Sequence, residues 1–177
     1  RSGIIAITLE AGDELLTAFL VGPGDEAIVA TREGMAIRFK ESDVRQMGRS
    51  AMGVRVIKLK KGDNVVGANA VYKESKTIAN FLVVAGNGYG KKTALKEYKV
   101  QKRGGSGIKT AKLTTKTGKL ISGRVVTPED TEIITISKHG QVIRTGLDEI
   151  PALGRQTQGV RVMKLRADDS LASLTCL

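Results

Sequence analysis

The chain has 177 residues, 29 Lys+Arg against 18 Asp+Glu for a net charge of +11, one His, one Cys and no Trp. Its length is enough to bury a sizeable core, and 41% apolar with 27% charged residues excludes wholesale disorder. No apolar run reaches the 18 or so residues of a membrane span, and the opening Arg1-Ser2-Gly3-Ile4 is not a signal peptide. Cys176 has no partner, which excludes a disulfide framework and a Cys-based zinc site and fits a reducing, cytoplasmic compartment. His139 alone supports neither a metal centre nor a Ser/His/Asp triad, so no metal, cofactor or catalytic residue is expected. The first residue is not Met, and the chain reads as a fragment or a processed product. Twenty-one Gly beside three Pro imply many tight turns, hence many short strands.

Taken in order, the predicted elements repeat. Gly3-Ile4-Ile5-Ala6-Ile7-Thr8-Leu9 is an apolar strand, Gly12-Asp13 a charged turn, and residues 15–21 a second strand. Residues 26–31 form a third, turning at Gly34 into a fourth that carries Ile37-Arg38-Phe39, with Val44 as an apolar plug six residues past Arg38. The segment 41–46 allows one short helical turn at most. The series restarts at Gly53, at Gly107 and at Gly159, spacings of 50, 54 and 52 residues. The second unit has its charged turn at Gly62-Asp63, strands over 65–71 and 78–84, a hairpin at Gly88, Lys91-Lys92-Thr93 on the fourth strand and Tyr98 as plug. The third has Thr117-Gly118, strands over 120–126 and 132–137, a hairpin at Gly140, Ile143-Arg144-Thr145 and Ile150. The fourth has Asp168-Asp169 and a strand over 171–177. Four short strands per unit of about 52 residues, with turns every eight to twelve, describe an all-β, propeller-like array of three full units and a partial fourth. A lone unit leaves its faces uncovered, so residues 1–177 are expected to form one repeat-built domain within a larger one.

Cations follow the repeat. Arg49, Arg103 and Arg155 each precede the next opening Gly by four residues; Arg38, Lys92 and Arg144 lie on the fourth strands, Lys91 beside Lys92. Arg55, Lys109 and Arg161, then Lys58, Lys112 and Lys164, recur on the first strands. Matched positions in a stacked array become matched positions in space, and a curved basic track suits a duplex that carries a phosphate charge about every 1.7 Å. Gln101-Lys102-Arg103-Gly104-Gly105-Ser106-Gly107 is the sharpest local element, two cations beside glycines whose amides can form an anion-binding nest; the alternative is a plain connector.

Other motifs are empty. Gly86-Asn87-Gly88-Tyr89-Gly90-Lys91-Lys92 lacks the spacing of a phosphate loop and falls on a hairpin tip. His139 aligns with the tip residues Glu33 and Asn87, and the carboxylate pairs Glu129-Asp130 and Asp168-Asp169 lie in turns. Tyr72, Tyr89 and Tyr98 are too dispersed to stack a single strand, and Tyr98 belongs to the core.

The unit length, Ile37-Arg38-Phe39-Lys40-Glu41-Ser42, Asn87-Gly88-Tyr89-Gly90-Lys91-Lys92-Thr93, Gly154-Arg155-Gln156-Thr157-Gln158-Gly159-Val160 and the segment 101–107 resemble the C-terminal domain of the DNA gyrase A subunit over essentially the whole chain. The resemblance implies a β-pinwheel whose blades exchange strands, and a basic rim that binds, bends and wraps duplex DNA in support of negative supercoiling. The family's box is Gln-Arg-Arg-Gly-Gly-Lys-Gly. Here Lys102 stands for Arg and Ser106 for Lys, and residues 101–107 lie midway along the chain, so they read as the related segment of a later blade, with the first blades missing. The cleaving Tyr of the family belongs to another region, and none of the three Tyr takes its role. The implied partners are double-stranded DNA and the remaining parts of an enzyme of two A and two B subunits; there is no membrane partner, and the isolated fragment is expected to be monomeric. Two other readings remain open: the equivalent domain of topoisomerase IV, and a propeller scaffold that docks an acidic protein.

Overall fold

A computed structural model describes residues 3–177. Eleven strands and two single 3-10 turns (Glu41–Asp43 and Leu95–Glu97) make three antiparallel sheets. The first sheet combines β1 (Glu26–Thr31) and β2 (Met35–Lys40) with β3 (Val65–Val71) and the short β6 (Ile108–Lys109), in the order β3-β1-β2-β6. The second repeats this with β4 (Asn80–Ala85), β5 (Tyr89–Ala94), β7 (Leu120–Val126) and β10 (Val160–Arg161). The third holds β8 (Glu132–Ser137), β9 (Val142–Gly146) and β11 (Leu171–Cys176), with no strand on the far side of β9 among the described residues.

Each sheet therefore cuts across the sequence units. The first two take the third and fourth strands of one unit, the second strand of the next, and the first strand of the unit after that; the third has the same order without the last of these. Register is held by equivalent pairs: Val29 opposite Ile37, Val83 opposite Lys91, Thr135 opposite Ile143. The hairpin glycines Gly34, Gly88 and Gly140 have φ of 80°, 81° and 81°, the left-handed region that a tight connection needs and a side chain resists.

The same rule accounts for three expected strands that do not form. Residues 3–9, 15–21 and 53–59 have no strand assignment, because the strands that equivalent segments pair with are not among the described residues. Ile4, Ile5, Leu15, Leu16 and Leu20 are left exposed, whereas Val71 and Leu171 on equivalent later strands are buried. Expectation and structure also differ in length, since the first strands of the third and fourth units shorten to the pairs Ile108–Lys109 and Val160–Arg161.

The sheets stack through their second strands. Asn69 Nδ2 on β3 donates to the Gly123 carbonyl on β7 at 2.9 Å, and a Cβ added to Gly67 would lie 2.5 Å from that same oxygen. β11 packs on β7 in turn. These strands form the inner edge of the array and β6 and β10 the outer edge. Between the sheets Ile28, Phe81, Leu95 and Tyr98 make one core and Leu82, Ile133, Ile150, Met163 and Leu171 the next. The expected plugs Tyr98 and Ile150 are 1% and 2% exposed, and the Tyr98 ring meets Phe81 edge to face at 5.6 Å.

Candidate nucleic-acid interface

The candidate cations separate into two populations that share one sequence period. Arg38 is buried, and its guanidinium is already occupied: Nε donates to Glu26 at 2.5 Å and Nη1 to the carbonyls of Leu95 and Tyr98 at 2.8 and 3.3 Å. It clamps the first sheet to the 3-10 turn of the next unit, so its expected place on a DNA-facing track is corrected. Lys92 repeats the contact one unit on, its ammonium donating to the Leu147 carbonyl at 2.5 Å. Arg144, third in the series, ion-pairs with Glu132 and stays 65% exposed.

Lys91 is corrected likewise. It is 1% exposed and donates to the carbonyls of Gly154 and Arg155 at 2.5 and 2.6 Å, where the other units place Ile37 and Ile143. Burial pulls its ammonium down to about 8, with Glu97 opposing that shift and Arg155 adding to it.

The segment before each opening Gly is a strap over the first strand of the preceding unit. Thr8, Lys58 and Lys112 donate their amides to the carbonyls of Ala51, Gly105 and Thr157 at 3.2, 2.9 and 3.0 Å. Arg103 and Arg155 fasten the straps, donating to the carbonyls of Arg55 and Lys109 at 3.1 and 3.0 Å; Arg103 also reaches the Asp43 carbonyl at 2.7 Å. Each strap thus brings its arginine to the first-strand cations one unit back: Arg103 to Arg55 and Lys58, Arg155 to Lys109 and Lys112. Arg49 is exposed at the corresponding place.

The opening glycines follow from this geometry. Gly107 and Gly159 have φ of 68° and 82°, and a Cβ on either would lie 2.4 Å from the carbonyl of Ala36 or Gly90 on the fourth strand it crosses. Within residues 101–107, the Gly104 amide donates to Val56 and the Gln101 amide to Arg38. Lys102, Gly105 and Ser106 face outward, and only Gly104 and Gly107 take positive φ.

Exposed cations remain along the outer edge: Arg55, Lys58, Lys102, Lys109, Lys112, Arg161 and Lys164. None of these pairs with a carboxylate among the described residues. Two equivalent grooves run beside β6 and β10. The first is lined by Glu33, Lys109, Lys112 and Lys119, the second by Asn87, Tyr89, Lys116, Arg161, Lys164 and Arg166. Lys116 and Arg166 were not among the sequence candidates. Their signal was a cation two residues before the charged-turn apex in three of the four units, at Lys60, Lys116 and Arg166. His139 sits on its hairpin tip, 60% exposed, as expected. Among the described residues no group of three or more His, Cys, Asp or Glu is placed to hold a metal.

Fold and surface together define a strand-exchanged, propeller-like β array with a repeated basic outer edge. The chain matches the family described as DNA gyrase C-terminal domain, beta-propeller, over residues 1–21, 25–71, 79–127 and 131–177, and belongs to that family. Those matches break between second and third strands, so each match from residue 25 onward contains the third and fourth strands of one unit and the second strand of the next, which pair in one sheet. The DNA gyrase A subunit of Lawsonia intracellularis is 41% identical over 165 residues, covering 93% of this chain and 20% of that protein. The DNA gyrase A subunit of Staphylococcus aureus is 38% identical over 173 residues, covering 98% and 19%. The chain thus spans about a fifth of the length of these relatives. A solved DNA gyrase A C-terminal domain superimposes with a TM-score of 0.86 at 32% identity, over 98% of this chain and 58% of that structure. The C-terminal domain of DNA topoisomerase IV gives 0.79 at 22% identity, over 86% and 46%, a likeness of fold alone.

Proposed function

We propose that this chain is a non-catalytic module that binds and bends duplex DNA as part of a gyrase A subunit, working in the cytoplasm with the rest of that polypeptide and with the B subunit. The observation that carries this reading is the recurrence of exposed cations with no carboxylate partner among the described residues on the outer edge, Arg55 and Lys58, Lys109 and Lys112, Arg161 and Lys164, at the same place in successive units. Cations at regular intervals on a curved edge reach successive phosphates only if the duplex follows the curve. Bending 20 to 30 base pairs by 40 to 90° costs about 1–6 kcal/mol, which several phosphate contacts per unit offset. Arg49, Lys102, Arg103, Arg144 and Arg155 supplement the track, Arg103 and Arg155 from straps that they also fasten. Residues 101–107 serve as the box-like segment, presenting Lys102 and Ser106 outward.

A scaffold for an acidic protein shares the charge but does not require even spacing. The discriminating measurement seals nicked plasmid with ligase in the presence of the protein and reads the linking number after its removal. Duplex binding with a salt slope of several units, and a linking-number shift toward positive values that grows with protein, are expected. No shift at saturating protein and low salt refutes the bending reading; salt-independent binding refutes phosphate contact altogether.

A further inference from the structure

The second groove differs from the first in one respect that makes it a built site. Tyr89 lies at its floor, 8% exposed, where the equivalent positions hold Met35 and Gln141. The Lys116 ammonium stands 5.4 Å from the ring centroid and the Arg161 guanidinium 5.8 Å, and Arg161 Nη2 donates to the phenol oxygen at 3.3 Å. A single ring therefore positions two cations from different units, and their joint effect draws the phenol pKa down. The backbone beneath is pinned: Asn87 Nδ2 donates to the Lys116 carbonyl at 3.1 Å and Gln141 Nε2 to that of Lys164 at 3.2 Å. The amides of Val162 and Met163 both donate to the Gly88 carbonyl.

Charge balance also favours this groove. In the first groove Lys119 is consumed by Glu33 at 2.5 Å, whereas the corresponding tip residue here is the neutral Asn87. Of the two acids present, Asp169 has a fully buried side chain whose Oδ1 accepts the His139 and Ser170 amides. Two acids, Asp168 and Asp169, thus face four cations, Lys116, Arg161, Lys164 and Arg166, none of which pairs with a carboxylate among the described residues, and the groove keeps an excess of positive charge.

We infer that this groove is a phosphate clamp in which Tyr89 holds Lys116 and Arg161 apart at fixed positions to grip the backbone of a duplex, with Lys164 and Arg166 completing it. The inference rests on the duplex-binding reading above and adds to it a local site with a positioning residue. Cations fixed before binding lose less side-chain freedom on contact than free surface lysines do, so this blade is the strongest anchor of the track.

The test titrates mixed-sequence duplex of roughly 25 base pairs into this chain by fluorescence anisotropy across a salt series. Lys116→Ala/Arg161→Ala should lower the salt slope by about 2, one unit for each phosphate that is no longer neutralised. The charge-matched control Lys73→Ala/Lys76→Ala, which removes two cations already paired with Glu74 and Glu26, should leave the slope nearly unchanged. Tyr89→Met copies the residue of the first unit; it should keep the melting temperature and the titrating charges yet weaken binding about fivefold. Equal falls in slope for both double variants, or full affinity in folded Tyr89→Met, overturn the clamp while the duplex reading stands. Absence of salt-dependent binding by the unsubstituted chain overturns both.

Discussion

Lys91→Ile tests whether one position has traded a core contact for a strap anchor. The fourth strands of the first and third units carry Ile37 and Ile143 there, so the exchange copies a residue the fold already accepts. In the unsubstituted chain the buried ammonium donates to Gly154 and Arg155 and titrates at about 8, against 10.5 for a free lysine. The 2.5-unit difference between those two values corresponds to about 3 kcal/mol. Because the folded pKa is the lower one, the unfolded chain binds more protons between pH 8 and 10.5, and stability must rise with pH across that window. The Ile variant lacks the group and therefore lacks the rise. At pH 7 it gains about 1.5–3 kcal/mol from apolar burial and loses about 1–3 kcal/mol for the Arg155 carbonyl left unpartnered, that of Gly154 keeping the Thr157 hydroxyl, terms that largely cancel. Urea unfolding followed by far-ultraviolet circular dichroism suits a chain without Trp. The difference in unfolding free energy, native chain minus variant, should grow by about 3 kcal/mol from pH 7 to 10.5. Groups common to both, including the Tyr98 phenol that burial holds above its usual range, cancel in that difference. A difference that stays flat or falls refutes the argument that Lys91 is held, charged, in a desolvated site.

The opening glycines give a graded set. Gly107→Ala and Gly159→Ala combine positive φ with a Cβ 2.4 Å from a carbonyl oxygen and should each cost about 3 kcal/mol or more, whereas Gly53→Ala, with φ of 86° and nothing within 4 Å, should cost about 1 kcal/mol in the same unfolding assay. Asp168 occupies the turn position that Gly12, Gly62 and Gly118 fill elsewhere, with φ of 61°; Asp168→Gly should stabilise by about 0.5 kcal/mol and, by removing the exposed acid of the clamp groove, tighten duplex binding. Burial pushes the Cys176 thiol up to about 11, so alkylation by iodoacetamide at pH 8 should be slow in the folded chain and fast in urea.

The spacing of glycines and apolar runs made the all-β repeat legible, and the hairpins at Gly34, Gly88 and Gly140 fell where the sequence put them. Strand exchange is what hid the rest. Periodicity locates a strand but carries no information about which unit supplies its neighbour, and the sheets here are assembled from two or three successive units. Residues 15–21 and 65–71 read alike, yet one is exposed and the other is the inner edge of a sheet, because the difference lies in the partner and not in the segment.

The same reasoning explains why the cations were only half sorted by sequence. Arg38 and Arg161 both recur with the unit, and recurrence is demanded of a clamp between blades as much as of a contact to an evenly charged duplex. What separates them is the supply of acceptors. Arg38 lies where a neighbouring 3-10 turn ends, so the carbonyls of Leu95 and Tyr98, together with Glu26, draw it inward. Arg161 lies on the outer edge, and among the described residues its guanidinium donates only to the Tyr89 phenol. Arg103 and Arg155 stand between these limits: one edge of each guanidinium fastens a strap, and each residue stays partly exposed. Straps held by the same residues that present charge tie the spacing of the basic edge to the packing of the blades, so the duplex proposed as partner would meet cations whose intervals the fold has already fixed.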